Sequence, residues 1–233
     1  YGSSTPVAPR SVIILFIALL FGLATPFGII YLMEILDTTI RGRKDIEDKL
    51  SIPFLGDIPE YHGSTRQGSV VVRDNGRDSV SEAFRLIRSN LGFMSVKSGK
   101  LQIIMVTSSD PHAGKTFVTT NLAMTLALAD KKVVIVDLDL RRRTLSKQMG
   151  QRDNRNGVSG YISGTIANLN DIVFQSGLHE NLDIIFAGLQ PPNPAEMLLS
   201  EKFDEFMADL RKRYDYVVID SVPAMAVADV FHV

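Results

Sequence analysis

From Leu101 to Arg143 the chain reads LQIIMVTSSDPHAGKTFVTTNLAMTLALADKKVVIVDLDLRRR, and this stretch constrains the fold more than any other. It opens on a short run, Leu101 to Val106, that is apolar on both faces and so predicts a buried strand. The loop SSDPHAGKT follows and brings Gly114, Lys115 and Thr116 to the start of a helical run ending near Ala129. Strand, loop and helix in that order are the context of a phosphate-binding loop. N–H groups at a helix N-terminus are unpaired and partially positive, so they can cradle β- and γ-phosphates. Lys115 adds a full charge, and the Thr116 hydroxyl suits a Mg²⁺ ion. The loop departs from GxxxxGK[ST] at one place, where Ser109 stands in the first Gly position.

Two further apolar runs end in acidic groups. KKVVIVDLDL, Lys131 to Leu140, predicts a second buried strand with Asp137 and Asp139 two residues apart, on the same side of an extended chain. Two such carboxylates repel each other unless a cation or an Arg lies between them. YVVID, Tyr216 to Asp220, predicts a third strand ending in Asp220. Ligands of open α/β sheets gather at the carboxyl ends of strands, so three strand ends of this kind point to one phosphate and metal site. With NLDIIF, Asn181 to Phe186, four strands alternate with segments long enough for helices. That order predicts an α/β fold: a P-loop NTPase-like, parallel, doubly wound sheet.

These motifs resemble those of the bacterial tyrosine autokinases (BY-kinases), the P-loop kinases found with capsule and exopolysaccharide chain-length proteins of the Wzc type. Ser109 to Thr116 is similar to their Walker A motif. VVIVDLDLR, Val133 to Arg141, is similar to their Walker A′, and VVIDSVP, Val217 to Pro223, to their Walker B. AGLQPPNPAEML resembles their GxxPPNPxEL loop, and Glu82, Arg85, Arg88 and Asn90 resemble the ExxRxxRxN helix that packs subunits into a ring. The partitioning ATPases share the architecture but carry a signature Lys early in the loop, where this chain has Asp110.

The resemblance implies ATP and Mg²⁺ as cofactors and transfer of the γ-phosphoryl group to a tyrosine hydroxyl, mostly on another subunit. The implied nucleotide contacts are Ser109, Asp110, Pro111, His112, Ala113, Gly114, Lys115, Thr116, Phe117 and Arg141. The implied metal set is Thr116, Asp137, Asp139 and Asp220. Lys115, Asp137, Asp139 and Asp220 form the implied catalytic group, and either Asp137 or Asp139 would accept the tyrosine proton. Implied partners are further copies of the chain in a ring-like oligomer, the membrane, and polysaccharide polymerisation and export machinery. Two other readings stand beside this one: a membrane-tethered ATPase switch of the partitioning type, and a nucleotide-binding scaffold with weak catalysis. Ser109, His112 and Val222, the last in place of the first Pro of the family's DxPP, keep the scaffold reading open.

The rest of the chain adds a membrane and a linker. Ser11 to Met33 is 23 residues without a charge, enough to cross a hydrocarbon layer of about 30 Å as a helix. Arg41, Arg43 and Lys44 come after this run while only Arg10 precedes it, so the positive-inside rule puts the remainder of the chain on the cytoplasmic side, and the resemblance implies that the membrane is a bacterial inner membrane. The expected division is a leader at 1–10, which reads as part of a longer chain's extracytoplasmic side, a transmembrane helix at 11–36, a juxtamembrane segment and linker at 37–78, and the kinase domain at 79–233. Glu60 to Asp78, rich in Gly, Ser and Arg, reads as a mobile linker. Ser79 to Ser95 predicts an amphipathic helix that buries Val80, Phe84, Ile87, Leu91 and Met94, and Thr165 to Gly177 a short helix. The net charge of -1 argues against nucleic acid as a partner, and the absence of Cys excludes disulfides and thiolate metal sites.

Overall fold

The computed structural model describes residues 11–37, 39, 42–47, 51–61, 70–98, 101–140, 143–149 and 156–223. The chain divides after Phe54 into two compact units.

The first unit contains α1, Ser11–Leu36, and α2, Arg43–Glu47. Within α1, Val12–Leu36 has a mean hydropathy of 2.6 and every side chain exposed, so it is long and apolar enough to cross a membrane. The helix continues through Pro26, which supplies no N–H, and Thr25 donates its hydroxyl to the Phe21 carbonyl at 2.6 Å. The Arg43 guanidinium lies 5.7 Å from the centre of the Phe54 ring.

The second unit starts at Leu55, well before the Ser79 expected from the sequence. Its elements are α3 (Ser79–Ser98), β1 (Ile103–Val106), α4 (Lys115–Ala127), β2 (Val133–Asp137), α5 (Thr144–Gln148), α6 (Val158–Ile162), β3 (Val173–Gln175), β4 (Leu182–Ile185), α7 (Pro194–Leu198), α8 (Glu201–Arg213) and β5 (Tyr216–Asp220). The five strands lie in the order β1-β5-β2-β4-β3. Four of them are parallel, as the alternation of strands and helices dictates, and β3 is an antiparallel edge strand on β4. The short helix expected at Thr165 to Gly177 is instead one 3₁₀ turn, Leu169–Asp171, followed by β3. Main-chain pairing with β4 offsets a helical tendency that is marginal over so few residues.

Alternation along the strands assigns the two faces. Ile104, Val106, Val133, Ile135 and Val218 pack under α3 and α4. Ile103, Met105, Val134, Val136, Val217 and Ile219 pack under α6, α7 and α8. Asp137 and Asp220 continue the first series at period two and are register partners on neighbouring strands. Both carboxylates therefore emerge on the α4 side.

The stripe of α3 is buried at Val80, Phe84, Ile87 and Leu91, but Met94 is 38% exposed, so the helix has left the core by its last turns. α8 begins at an N-cap, where Ser200 Oγ accepts from the Phe203 amide at 3.3 Å, and buries Phe203, Phe206, Met207 and Leu210.

The reading of Glu60 to Asp78 as a mobile linker is corrected at its second half; residues 62–69 lie outside the described ones. Val71 and Val72 are buried, and their amides donate to Asn121 Oδ1 at 2.8 and 3.1 Å. Asn121, fully buried on α4, satisfies a stretch of backbone that no strand partner covers.

Candidate functional site

The phosphate loop is braced before any ligand arrives. Ser108 donates to the Asp110 carbonyl at 2.6 Å and Ser109 to Asp110 Oδ2 at 3.0 Å. His112 and Gly114 both adopt positive φ, 64° and 87°, and only glycine takes that conformation without steric cost. Gly114 is the N-cap of α4, and no side chain caps that helix end, which leaves its first amides available to an anion. Lys115 Nζ donates to Ser108 Oγ at 3.1 Å, folding back over the loop.

The Thr116 hydroxyl donates to Asp220 Oδ2 at 2.7 Å, with Thr119 at 3.5 Å from the other oxygen. Cross-links hold the neighbouring strand ends in place. Ser221 Oγ donates to the Val106 carbonyl at 2.9 Å, Thr107 Oγ1 to the Val222 carbonyl at 3.0 Å, and the Leu138 amide to the Asp220 carbonyl at 2.9 Å. Val222 thus contributes a backbone contact to the turn after Walker B.

Burial dominates the electrostatics. Asp220 is 1% exposed, and desolvation lifts its pKa to about 6 against the opposing hydrogen bond from Thr116. Asp137 is fully buried and held well above the usual carboxylate range, first by desolvation and then by the charge of Asp220 beside it. Its Oδ1 accepts from the Asp139 amide at 3.0 Å, while Oδ2 has no hydrogen-bond partner among the described residues. A buried carboxylate oxygen left unpaired beside a second carboxylate favours a proton or a cation between them.

Residues from the loop and the start of α4, Asp139 just after β2, α5, and the end of β5 enclose a cleft of about 370 Å³. Of the residues expected from the sequence, Pro111, His112, Gly114, Lys115, Thr116, Phe117, Asp139 and Asp220 line it. Ser109, Asp110 and Ala113 belong to the loop but lie outside the lining, and Asp137 is fully buried and outside it too. Arg141 lies outside the described residues. Thr144, Lys147, Gln148, Ser221 and Pro223 also line the cleft and were not anticipated. α5 carries the first three, and the charged run before it gave no period from which to read a face.

Uncapped helix amides, a lysine, and a hydroxyl paired with a carboxylate suit a triphosphate with Mg²⁺. Among the described residues no group of three His, Asp or Glu side chains could close a protein-only metal cage. A second cavity of about 620 Å³ is walled by Ile162, Ile166, Leu189, Pro191, Pro192 and Met197, with no Lys or Arg among the described residues of its lining.

The helix residues expected at a subunit contact divide into two pairs. Exposed Glu82 forms an ion pair with Arg85, which also reaches the Asp74 carbonyl at 3.3 Å. Arg88 donates to the Thr125 carbonyl at 3.0 Å and Asn90 to the Leu55 carbonyl at 2.7 Å, so both are engaged within the fold.

Fold and cleft together define a P-loop nucleotide-binding domain, and the AAA domain family matches residues 101–231, more than half of the chain. The sequence is 30% identical to a protein named a tyrosine-protein kinase of the cps region in Klebsiella pneumoniae, over 96% of this chain and 32% of the relative. It is 36% identical to the tyrosine-protein kinase etk of Escherichia coli strain K12, over 67% of this chain and 21% of the relative. Among solved structures, the kinase domain of Escherichia coli tyrosine kinase ETK superposes with a TM-score of 0.73 at 30% identity, covering 83% of this chain and 77% of that one. The chain belongs to the bacterial tyrosine kinases of the Wzc and Etk type. It spans about a third of the length of the first curated relatives it matches.

Proposed function

We propose that the chain is the nucleotide-binding and phosphotransfer part of an inner-membrane tyrosine autokinase that regulates capsular or exopolysaccharide polymerisation and export. The substrates are ATP and a tyrosine side chain, mostly on another copy of the chain. Lys115 and the loop amides hold the phosphates. Thr116 and Asp220 would hold Mg²⁺, with Asp137 and Asp139 nearby, and the ion would neutralise charge on the phosphate oxygens. The tyrosine oxygen forms a bond to the γ-phosphorus as the bond to the β,γ-bridging oxygen breaks, and ADP leaves. The phenolic proton passes to a carboxylate. Support for Asp139 in that role comes from its place in the cleft lining, where Asp137 is sealed from an incoming side chain.

α1 anchors the catalytic part on the cytoplasmic side, consistent with Arg41, Arg43 and Lys44 after the span. Exposed Glu82 with Arg85 supplies the contact to the neighbouring copy, and Arg88 and Asn90 hold α3 in position for it.

The observation that carries this reading is the 2.7 Å contact between the P-loop hydroxyl of Thr116 and the Walker B carboxylate of Asp220, beside the buried Asp137. The test mixes wild-type protein with a size-tagged Lys115→Met copy and an added tyrosine-containing peptide, in MgATP. Phosphotyrosine should form on the peptide and on the tagged copy when wild type is present. Lys115→Met alone should fall by at least about a hundredfold. Equal phosphotyrosine from both proteins would refute the assignment.

A further inference from the structure

The proposed transfer brings a densely charged phosphate group into a cleft whose lining already includes two carboxylates. A terminal phosphate group carries about −1.5 to −2. In the cleft it would lie among Lys115, Asp139 and Asp220, where a further cation on the wall would strengthen the grip on its oxygens. Among the described lining residues the cations are Lys115 and Lys147.

α5 fixes where that lysine stands. Leu145 and Ser146 are buried at 0% and 3% exposure and anchor one side of the helix. Thr144, Lys147 and Gln148, at spacings of three and four, share the other side and form a wall of the cleft. Arg143, which precedes α5 at φ 54°, donates its guanidinium to the Gly188 carbonyl at 3.2 Å, and this ties the start of α5 to the loop after β4. The Arg143 charge is thereby engaged away from the cleft. Lys147 has no carboxylate partner among the described residues.

The two lysines approach from different strands. Lys115 enters with the loop after β1, and Lys147 with the helix after β2, beyond the Asp139 carboxylate. In the proposed reaction the γ-phosphorus lies between the P-loop and the carboxylate that receives the tyrosine proton. A cation on the β2 side therefore meets the γ-phosphoryl group, which ADP lacks.

We infer that Lys147 is a second phosphate-binding residue, gripping the γ-phosphoryl group from the α5 side of the cleft and giving the cleft a preference for ATP over ADP. The inference rests on the nucleotide reading above, and the control for that reading is the wild-type protein itself.

The test is calorimetric binding of a non-hydrolysable ATP analogue and of ADP, both with Mg²⁺, to the full chain in detergent. Wild type, Lys147→Gln and Lys147→Arg are compared. Lys147 is exposed, so neither substitution should alter the melting temperature by more than a few degrees. Lys147→Gln should weaken the ATP analogue by about tenfold and ADP by less than about twofold, so that the ratio of the two affinities collapses. Lys147→Arg should restore most of the ratio, because it keeps the charge. An unchanged ratio in Lys147→Gln overturns the role of Lys147 and leaves the P-loop site standing. A wild-type protein that binds neither nucleotide overturns the site itself.

Discussion

Replacing Asp220 by Asn converts the electrostatics of the site into a measurable stability. Asp220 is 1% exposed, and its pKa is raised from 3.8 to about 6, chiefly by desolvation. Because the folded-state value lies above the unfolded one, the folded protein binds this proton more tightly. The associated stability is fully present below about pH 4 and is lost as pH rises through about 6. A difference of about two pKa units corresponds to roughly 3 kcal/mol, at about 1.4 kcal/mol per unit. The substituted amide cannot ionise, and its carbonyl oxygen still accepts from Thr116, so the Asp220→Asn variant escapes the loss. Without Mg²⁺ it should therefore exceed wild type in stability at pH 8 by up to about 3 kcal/mol, a melting shift of roughly 6–12 °C for a unit of this size. At pH 4 the two should nearly coincide. Asp137 is shifted in the same direction, so wild type itself should lose stability as the pH rises. Differential scanning calorimetry of the full chain in detergent with EDTA, at pH 4 and pH 8, makes the comparison. A variant equally destabilised at both pH values would refute the claim that a desolvated charge sits at the site. Activity should fall in the same variant, because the proposed Mg²⁺ site loses a carboxylate.

Asn121→Ala should cost about 2–4 kcal/mol in urea unfolding, because the Val71 and Val72 amides would remain buried without their acceptor; a loss below about 1 kcal/mol would show that this segment does not belong to the core. Glu82→Ala with Arg85→Ala should change stability by less than about 1 kcal/mol, since the pair is largely exposed. The same double variant should lose higher-order assembly in analytical ultracentrifugation and transfer to a second copy; an unaltered size distribution would return this face to the solvent.

Much of this site was legible because its chemistry is written in local patterns. Gly114, Lys115 and Thr116 follow a strand at fixed spacing, and Asp137 and Asp220 end apolar runs at period two. Parallel pairing then puts those two carboxylates in register, which explains why three separate motifs converge on one cleft. What escaped the sequence depends on contacts far apart in the chain. Val71 and Val72 sit in a Gly-, Ser- and Arg-rich context, and Asn121, some fifty residues on, anchors their backbone in the core. β3 is an edge strand of three residues, too short to show a period and stabilised by β4. Arg88 and Asn90 occupy positions the amphipathic pattern marks as polar, but they spend their donors on Thr125 and Leu55. Lys147 belongs to a five-residue helix whose cleft-facing side is set by the burial of Leu145 and Ser146.

The central claim is that phosphate leaves ATP for a tyrosine oxygen and not for water. The most direct measurement counts both products of the wild-type chain in MgATP with a tyrosine-containing acceptor peptide: ADP by chromatography and phosphotyrosine by mass spectrometry. The account predicts one phosphotyrosine for each ADP formed, with both products lost in Lys115→Met. ADP accompanied by free phosphate and no phosphotyrosine would contradict it and leave an ATPase switch in its place.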